Sequence, residues 1–315
     1  MTMDLTGRHL LTLKDFSKQE ILYLLDLSTK IKSEYKKNSR SKPLDGKSLG
    51  MIFQKRSTRT RVSTEVGMNF LGGHALFLGK DDIQLGANET IQDTALVLSR
   101  FVDGILARVF GHDTVEELAK YSSVPVLNAL SDKYHPLQIL ADLLTIQEHF
   151  GKLEELKLVW VGDGNNVCHS LLIGCSKLGV HMTVTTPDGY KPDQDIFDYA
   201  LEQGKQSGAK IEWVNDPKKA VSGADVVVTD TFVSMGQEAE TKKRINDFAG
   251  FQVNSELVKE AKENYKFMHC LPRHEHEVSD EIFYSKHSIV FDEAENRLHT
   301  IMAVLDAFMT KAERK

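Results

Sequence analysis

The chain is poor in cysteine, in long apolar runs and in surplus basic charge, and each shortage removes a class of protein. Three cysteines, Cys168, Cys175 and Cys270, stand in 315 residues. So small and odd a number builds no disulfide framework and points to a reducing compartment. No apolar run is long enough to span a bilayer, which excludes a helical membrane protein. Lysine and arginine number 39 against 45 aspartates and glutamates, a net charge of -6. That balance argues against general affinity for nucleic acid or an anionic membrane, although a local arginine cluster can still bind an anion. Low-complexity linkers, charge blocks and short repeats are missing as well. The segment Met1 to Thr6 has neither an apolar h-region nor an Arg- and Ser-rich amphipathic character. It is expected to be neither a signal nor a transit peptide, while a leader already removed would leave the compartment open.

What is present fits two soluble domains. The length exceeds one ordinary core, and a hydrophobic content of 41% is ample for two. Ser17 to Glu20 forms a capping-box pattern ahead of Ile21, Leu22, Leu24, Leu25 and Leu27 on one helical face. Strands are predicted at 49–53, 75–78, 104–109 and 124–128. Helices are predicted from Thr58 to the Gly72-Gly73 stop, and at 89–100, 114–121 and 136–150. The second half repeats the rhythm, with strands at 158–161, 181–185, 211–214, 226–229, 266–270 and 289–291. A helix is predicted over 166–178, and a final amphipathic one from about Glu293 to Phe308. Alternating strands and helices imply an α/β fold with doubly wound parallel sheets covered on both faces. Ligands in such sheets bind beyond the carboxyl ends of strands, so informative residues should follow strands directly. The boundary is placed near Phe150-Gly151, dividing the chain into 1–150 and 151–295.

The sharpest local signal is Arg56-Ser57-Thr58-Arg59-Thr60-Arg61. It follows a strand and opens a helix, where free N–H groups and the helix dipole favour a phosphate. Ser57, Thr58 and Thr60 add hydroxyls, and Arg59 adds a planar fork for two oxygens. An ordinary helix cap explains one hydroxyl but not three interleaved with arginines. Arg108 follows the apolar Gly104-Ile105-Leu106-Ala107 and needs an anionic partner, either a substrate or a structural carboxylate. His135-Pro136-Leu137-Gln138 opens another helix, and its spacing puts His135 and Gln138 on one side of that start. Such a His–Gln pair also occurs as a plain local cap.

Together these segments resemble the aspartate/ornithine carbamoyltransferase superfamily. Ser57-Thr58-Arg59-Thr60-Arg61 and His135-Pro136-Leu137-Gln138 match its two carbamoyl-phosphate signatures. The second half resembles the ornithine branch, through Gly162-Asp163-Gly164-Asn165-Asn166, Asp230-Thr231-Phe232-Val233-Ser234-Met235-Gly236, His269-Cys270-Leu271-Pro272 and Glu293-Ala294-Glu295-Asn296-Arg297. The matches run in family order over essentially the whole chain. The resemblance implies transfer of a carbamoyl group from carbamoyl phosphate to the δ-amine of L-ornithine. It implies that Ser57, Thr58, Arg59, Thr60, Arg108, His135, Gln138, Cys270, Leu271 and Arg297 hold carbamoyl phosphate. Asn166, Asp230, Ser234 and Met235 would bind ornithine, and Arg108, His135, Cys270 and Asp230 would carry the chemistry. The C-terminal helix, 296–315, would pack back on the first domain. A homotrimer is implied, with the loop from Gln84 to Asn88 reaching a neighbouring subunit. The resemblance implies no cofactor and no nucleic-acid or membrane partner. A cytoplasmic location is expected, or the mitochondrial matrix if a transit peptide has been lost.

Chemistry suggests how such residues would act. Arg59, Arg108 and the helix-start amides can neutralise a departing phosphate, and Arg108 with His135 can polarise a carbonyl oxygen as an oxyanion hole does. Asp230 follows Val226-Val227-Val228-Thr229, a fitting place for a carboxylate that reads an ammonium group. Cys270 is either an inert thiol or a group beside the reacting amine, helped by Asp230. Cys168 and Cys175 lie on one helix face, where packing is the better explanation. A dehydrogenase is the main rival, because Gly162-Asp163-Gly164-Asn165-Asn166-Val167 begins like a dinucleotide fingerprint. Val167 replaces its third glycine, and Thr185-Thr186 replaces the acid that would hold a ribose. His269, Cys270, His274 and His276 fit no standard zinc spacing, so no metal is expected. Within the family, putrescine or acylated ornithine are the alternative acceptors. His274-Glu275-His276 is expected to be a solvated loop, and the surrounding Arg273 to Glu277 departs from common family versions, which bears on loop dynamics and not on the chemistry.

Overall fold

A computed structural model describes residues 3–39, 41–86, 88–234 and 238–310. Two compact units emerge, Met1–Leu144 with Glu295–Lys315, and Thr145–Ala294. In chain order the strands are β1 Ser48–Phe53, β2 His74–Gly79, β3 Gly104–Arg108, β4 Val126–Leu130, β5 Lys157–Val161, β6 His181–Thr185, β7 Ile211–Trp213, β8 Val226–Thr229 and β9 Lys266–His269. The helices are α1 Lys18–Lys36, α2 Thr58–Phe70, α3 Ile91–Phe101, α4 His112–Tyr121, α5 Pro136–Phe150, α6 Asn166–Leu178, α7 Gln194–Ser207, α8 Pro217–Val221, α9 Thr241–Asp247, α10 Ser255–Val258, α11 Asp280–Phe283 and α12 Val290–Met309. Among the described residues no helix is long and apolar enough to cross a membrane.

Every strand pair is parallel. The first sheet has the order β2-β1-β3-β4, and the second β7-β6-β5-β8-β9. In each the chain winds outward from its first strand and then returns to that strand's other side. The reversal falls between β1 and β3 in one unit and between β5 and β8 in the other, and strand order opens a crevice at such points. Both units brace the opposite end of that strand pair with the same device. Asp103 accepts the Ser48 N–H at 2.8 Å while its own N–H donates to the Ser48 carbonyl. Asp225 accepts the Lys157 N–H at 2.9 Å and donates back to the Lys157 carbonyl. An aspartate before the returning strand thus satisfies the first N–H of the founding strand, which no neighbouring ladder residue reaches.

Local sequence explains most boundaries. Ser17 and Glu20 form the reciprocal cap of α1. Ser57 accepts the Thr60 N–H to start α2, and Asn165 accepts those of Val167 and Cys168 to start α6. The strand predicted from Val124 begins two residues later, because Pro125 cannot donate to a ladder. The strand predicted at 289–291 does not form. Ser288 makes only an isolated bridge to Phe267, and α12 opens at Val290. The apolar Ile289-Val290-Phe291 run is consistent with either structure, and the helix period of the residues that follow decides it. Helix α12 packs within the first unit along its later turns, where a Cβ on Gly67 would stand 2.9 Å from Met302 Cγ and Phe16 meets Phe308. Gly67 is therefore what allows α2 so close to α12.

Replacing Asp103 or Asp225 by alanine should cost about 1–3 kcal/mol each, because a buried strand-initial N–H loses its acceptor. Asparagine keeps an acceptor oxygen and should cost less than half as much. Urea unfolding of the four variants measures this, and equal losses for alanine and asparagine would contradict it.

Candidate active site

In the first unit the cluster forms where β1, β3 and two helix starts converge. Arg297, far along α12, donates from Nη1 to Gln138 Oε1 at 2.5 Å and from Nη2 to Thr60 Oγ1 at 3.1 Å. Gln138 in turn donates to Asp142 Oδ1 at 2.8 Å, so its amide is fixed with the oxygen toward the guanidinium. Arg297, Thr60, Gln138, His135 and Arg108 are all buried. His135 precedes Pro136 at the start of α5, and its carbonyl receives the Gln138 N–H at 3.1 Å. Arg108 ends β3 at a register shift against β4, where Ala107 faces Asn128 but Arg108 faces Leu130. Such an irregularity re-aims a terminal side chain.

The electrostatics of this cluster are one-sided. Burial holds His135 well below the ordinary imidazole range, and the charges of Arg297, Arg108 and Arg59 push it the same way. His135 is therefore neutral at pH 7 and offers a hydrogen bond without adding charge. Lys55 is also lowered, by burial and then by Arg108, and its ammonium lies 5.0 Å from the Phe110 ring centre. Such concentration of positive charge suits a compact anion of more than one charge. Ser57 and Arg59 are half-buried at the head of α2, and Thr58 is exposed there. Arg61 is not part of the cluster. It is exposed, bonded to Glu65 at 2.9 Å and lies 3.7 Å from the Phe77 ring centre. One position after Thr60, the helix turns it to the opposite side.

In the second unit the strand ends β5, β8 and β9 assemble a different chemistry. Asp230 is buried and receives two donors: Asn165 Nδ2 on Oδ2 at 2.9 Å and Cys270 Sγ on Oδ1 at 3.0 Å. Cys270 is half-buried, whereas Cys168 and Cys175 are fully buried on α6. Burial drives the Cys168 thiol well above its ordinary range, so it is inert. Leu271 sits at φ 59°, a left-handed conformation costly for its bulk, and its N–H donates to His269 Nδ1 at 2.9 Å. The turn after β5 is held by Arg244, which donates to Asp163 Oδ2 at 2.8 Å and to the Phe232 carbonyl at 3.0 Å. Burial raises the Asp163 carboxyl and Arg244 opposes that rise. Gly164 is forced by close approach, since a Cβ there would lie 2.2 Å from the Pro192 nitrogen.

Asn166 is the first residue of α6 and half-buried, as is Ser234 in the loop after β8. Met235 and Gly236 lie outside the described residues. Among the described residues the ligand-type atoms of Asp230, His269 and Cys270 lie within 4.8 Å of one another, while His274 and His276 are exposed. His269 accepts the Leu271 N–H with Nδ1, and its Nε2 lies 3.4 Å from Glu277 Oε1. His274, Glu275 and His276 are all exposed, as expected of a solvated loop, and buried Glu277 anchors its end. Asn165 is the residue that sequence reasoning passed over. Its place just before a helix was a readable capping signal, but its second bond, to Asp230, links positions 65 apart. Lys55 and Asp142 carried no local signal at all.

Fold and site define a two-unit α/β enzyme, with a buried guanidinium cluster in one unit and a carboxylate–thiol pair in the other. Two family models match: "Aspartate/ornithine carbamoyltransferase, carbamoyl-P binding domain" over residues 8–148, and "Aspartate/ornithine carbamoyltransferase, Asp/Orn binding domain" over residues 154–308. The chain belongs to the aspartate/ornithine carbamoyltransferase family. It is 54% identical to ornithine carbamoyltransferase of Pyrococcus horikoshii, covering 97% of this chain and 96% of that one. It is 52% identical to the mitochondrial ornithine carbamoyltransferase of Aquarana catesbeiana, covering 97% and 88%. The solved ornithine carbamoyltransferase of Pyrococcus furiosus superposes with a TM-score of 0.96 at 52% identity, covering 99% of this chain and all of that one.

The His135 shift has a direct consequence for stability. The unfolded chain takes up a proton near pH 6.5, whereas the folded chain resists until well below it. The unfolded state thus binds more protons in that window, and stability falls as pH drops below about 6.5. His9 and His112 are lowered by burial and act in the same direction. Glutamine at 135 should flatten the decline of Tm between about pH 6.5 and 5 relative to the parent chain. An unchanged slope would show that His135 does not stay neutral on folding.

Proposed function

We propose that this chain is an ornithine carbamoyltransferase: it moves the carbamoyl group of carbamoyl phosphate to the δ-amine of L-ornithine, giving L-citrulline and phosphate. The reaction belongs to arginine biosynthesis and the urea cycle. What carries the reading is the buried cluster of Arg297, Thr60, Gln138, His135 and Arg108, which answers a dianion that also bears a carbonyl. Similarity to ornithine carbamoyltransferases over 97% of the chain supports the acceptor.

Ser57, Thr58, Arg59 and Thr60 take the phosphate at the head of α2, where backbone amides and guanidinium groups stabilise the leaving dianion. Arg108 and neutral His135 polarise the carbamoyl oxygen, and Gln138 with Arg297 orients the carbamoyl group. Asp230 accepts from the ornithine α-ammonium, with Asn166, Ser234 and Met235 completing the amino-acid site. The neutral δ-amine attacks the carbonyl carbon, the bond to the phosphate oxygen breaks, and the amine's proton passes to the Cys270–Asp230 pair. Cys270 and Asp230 are hydrogen-bonded at 3.0 Å, so little reorganisation is needed at that step.

The chain works as a homotrimer. Support comes from apolar side chains exposed in the first unit, among them Val62, Val66, Leu76, Leu96, Val97 and Phe101, the last 66% exposed. Residues of this kind are costly to leave in water and suit burial by another copy. Exposed Gln84 lies nearby in sequence and is positioned by Asn88 at 2.6 Å, as expected of a loop serving a neighbour. The enzyme is placed in the cytoplasm, with the mitochondrial matrix as the alternative.

Ornithine, putrescine, acetylornithine and aspartate should be assayed side by side with carbamoyl phosphate. Ornithine should exceed each of the others by at least about 10²-fold in kcat/KM, since the rest leave a charged site unpaired or overfilled. Comparable rates with putrescine would overturn the choice of acceptor. Light scattering should give three times the 35.4 kDa chain mass, and a monomer mass with full activity would remove the trimer.

A further inference from the structure

The outer edge of β9 is finished by a side chain, and that side chain sets where Cys270 stands. The segment after α11 runs beside β9 for a single bridge. Phe267 N–H donates to the His287 carbonyl, and the Ile289 N–H donates back to the Phe267 carbonyl, each at 2.9 Å. Two residues on, the same edge presents the His269 N–H. The carbonyl that would continue a parallel ladder belongs to Ile289. It is already taken, because the Glu293 N–H donates to it at 2.9 Å as the first turn of α12 begins. The Glu293 carboxylate fills the place instead, with Oε2 accepting the His269 N–H at 3.0 Å. Both groups are buried, His269 and Glu293 each at 1% exposure. A carboxylate in a helix's first turn is also favoured by the helix dipole.

We propose that Glu293 is a positioning residue for Cys270. It ends β9 at His269, and the His269 ring then holds the following Leu271 N–H at 2.9 Å. Cys270 lies between these two fixed points, so its sulfur is delivered to Asp230 Oδ1 at 3.0 Å. Glu293 is buried and its carboxylate is turned to the β9 backbone, so it acts through Cys270. The inference rests on the carbamoyl-transfer reading, which the parent enzyme's own turnover tests. Alkylation of Cys270 tests the inference without that reading. Cys168 and Cys175 are completely buried, so the native chain's alkylation by iodoacetamide reports Cys270.

The test compares Glu293→Gln and Glu293→Asp in the full-length protein. Glutamine keeps an acceptor oxygen at the same reach and should hold kcat and the alkylation rate within about threefold of the parent. Aspartate is one methylene short. It should lower kcat by roughly 10- to 100-fold, as expected for an ångström-scale displacement of a reacting group. It should also change the alkylation rate of Cys270, while KM for carbamoyl phosphate stays within about twofold. A Glu293→Asp chain matching the parent in both kcat and alkylation overturns the proposal. Two variants that both fail to fold, or that lose activity equally with a raised carbamoyl-phosphate KM, also overturn it, because Glu293 would then be a general core residue.

Discussion

Like charges gathered out of water are the constraint around which this molecule is organised. Arg108 and Arg297 are buried in the same unit, and His135 lies within reach of both and of Arg59. A buried guanidinium is tolerated only with hydrogen-bond acceptors around it. Thr60 and Gln138 serve Arg297 in that way, and Asp142 orders Gln138 in turn. His135 answers the same field by remaining neutral. The arrangement is held by packing and by the ladder of β1, β3 and β4. Fixed donors of this kind are the condition under which electrostatic stabilisation is strongest.

The second unit solves a different problem with the same architecture. Its strand ends carry a carboxylate that is satisfied twice, by Asn165 and by Cys270. Neither donor carries a full positive charge. The surrounding frame is heavily constrained. Arg244 ties Asp163 to the Phe232 carbonyl, His269 ties down Leu271, and Glu293 closes the β9 edge. The left-handed Leu271 is the visible cost of that precision, since such strain persists only where neighbours over-determine the backbone. In both units the chemistry sits at the carboxyl ends of strands beside the point where strand order reverses. In both, an aspartate braces the other end.

The signals that were legible in the chain are those that act over a few residues. Ser17, Ser57 and Pro136 declare helix starts through caps and a fixed φ, and the strand ends before Arg56, Asp230 and Cys270 and at Arg108 follow from runs of apolar residues. Those signals give an α/β fold with parallel sheets and place Asp230 and Cys270 just after strands and Arg108 at the last position of one. They fail where two local structures compete. Ile289-Val290-Phe291 suits a strand by composition, yet Ile289 spends its carbonyl on a helix and Glu293 completes the sheet edge instead. Arg61 belongs to the same motif as Arg59, but the rotation of two residues about α2 sends it to Glu65 and Phe77.

By itself, then, the sequence determined which residues could do chemistry and which ends of which elements would display them, because propensity, capping and periodicity are properties of neighbours along the chain. Only the tertiary structure decided the partnerships. Arg297 meets Thr60 across 237 positions, Asn165 meets Asp230 across 65, and Cys270 meets Asp230 across 40. Those distances are set by strand order and helix packing. The charge on a group such as His135 is set by burial and by the guanidinium groups that packing brings beside it.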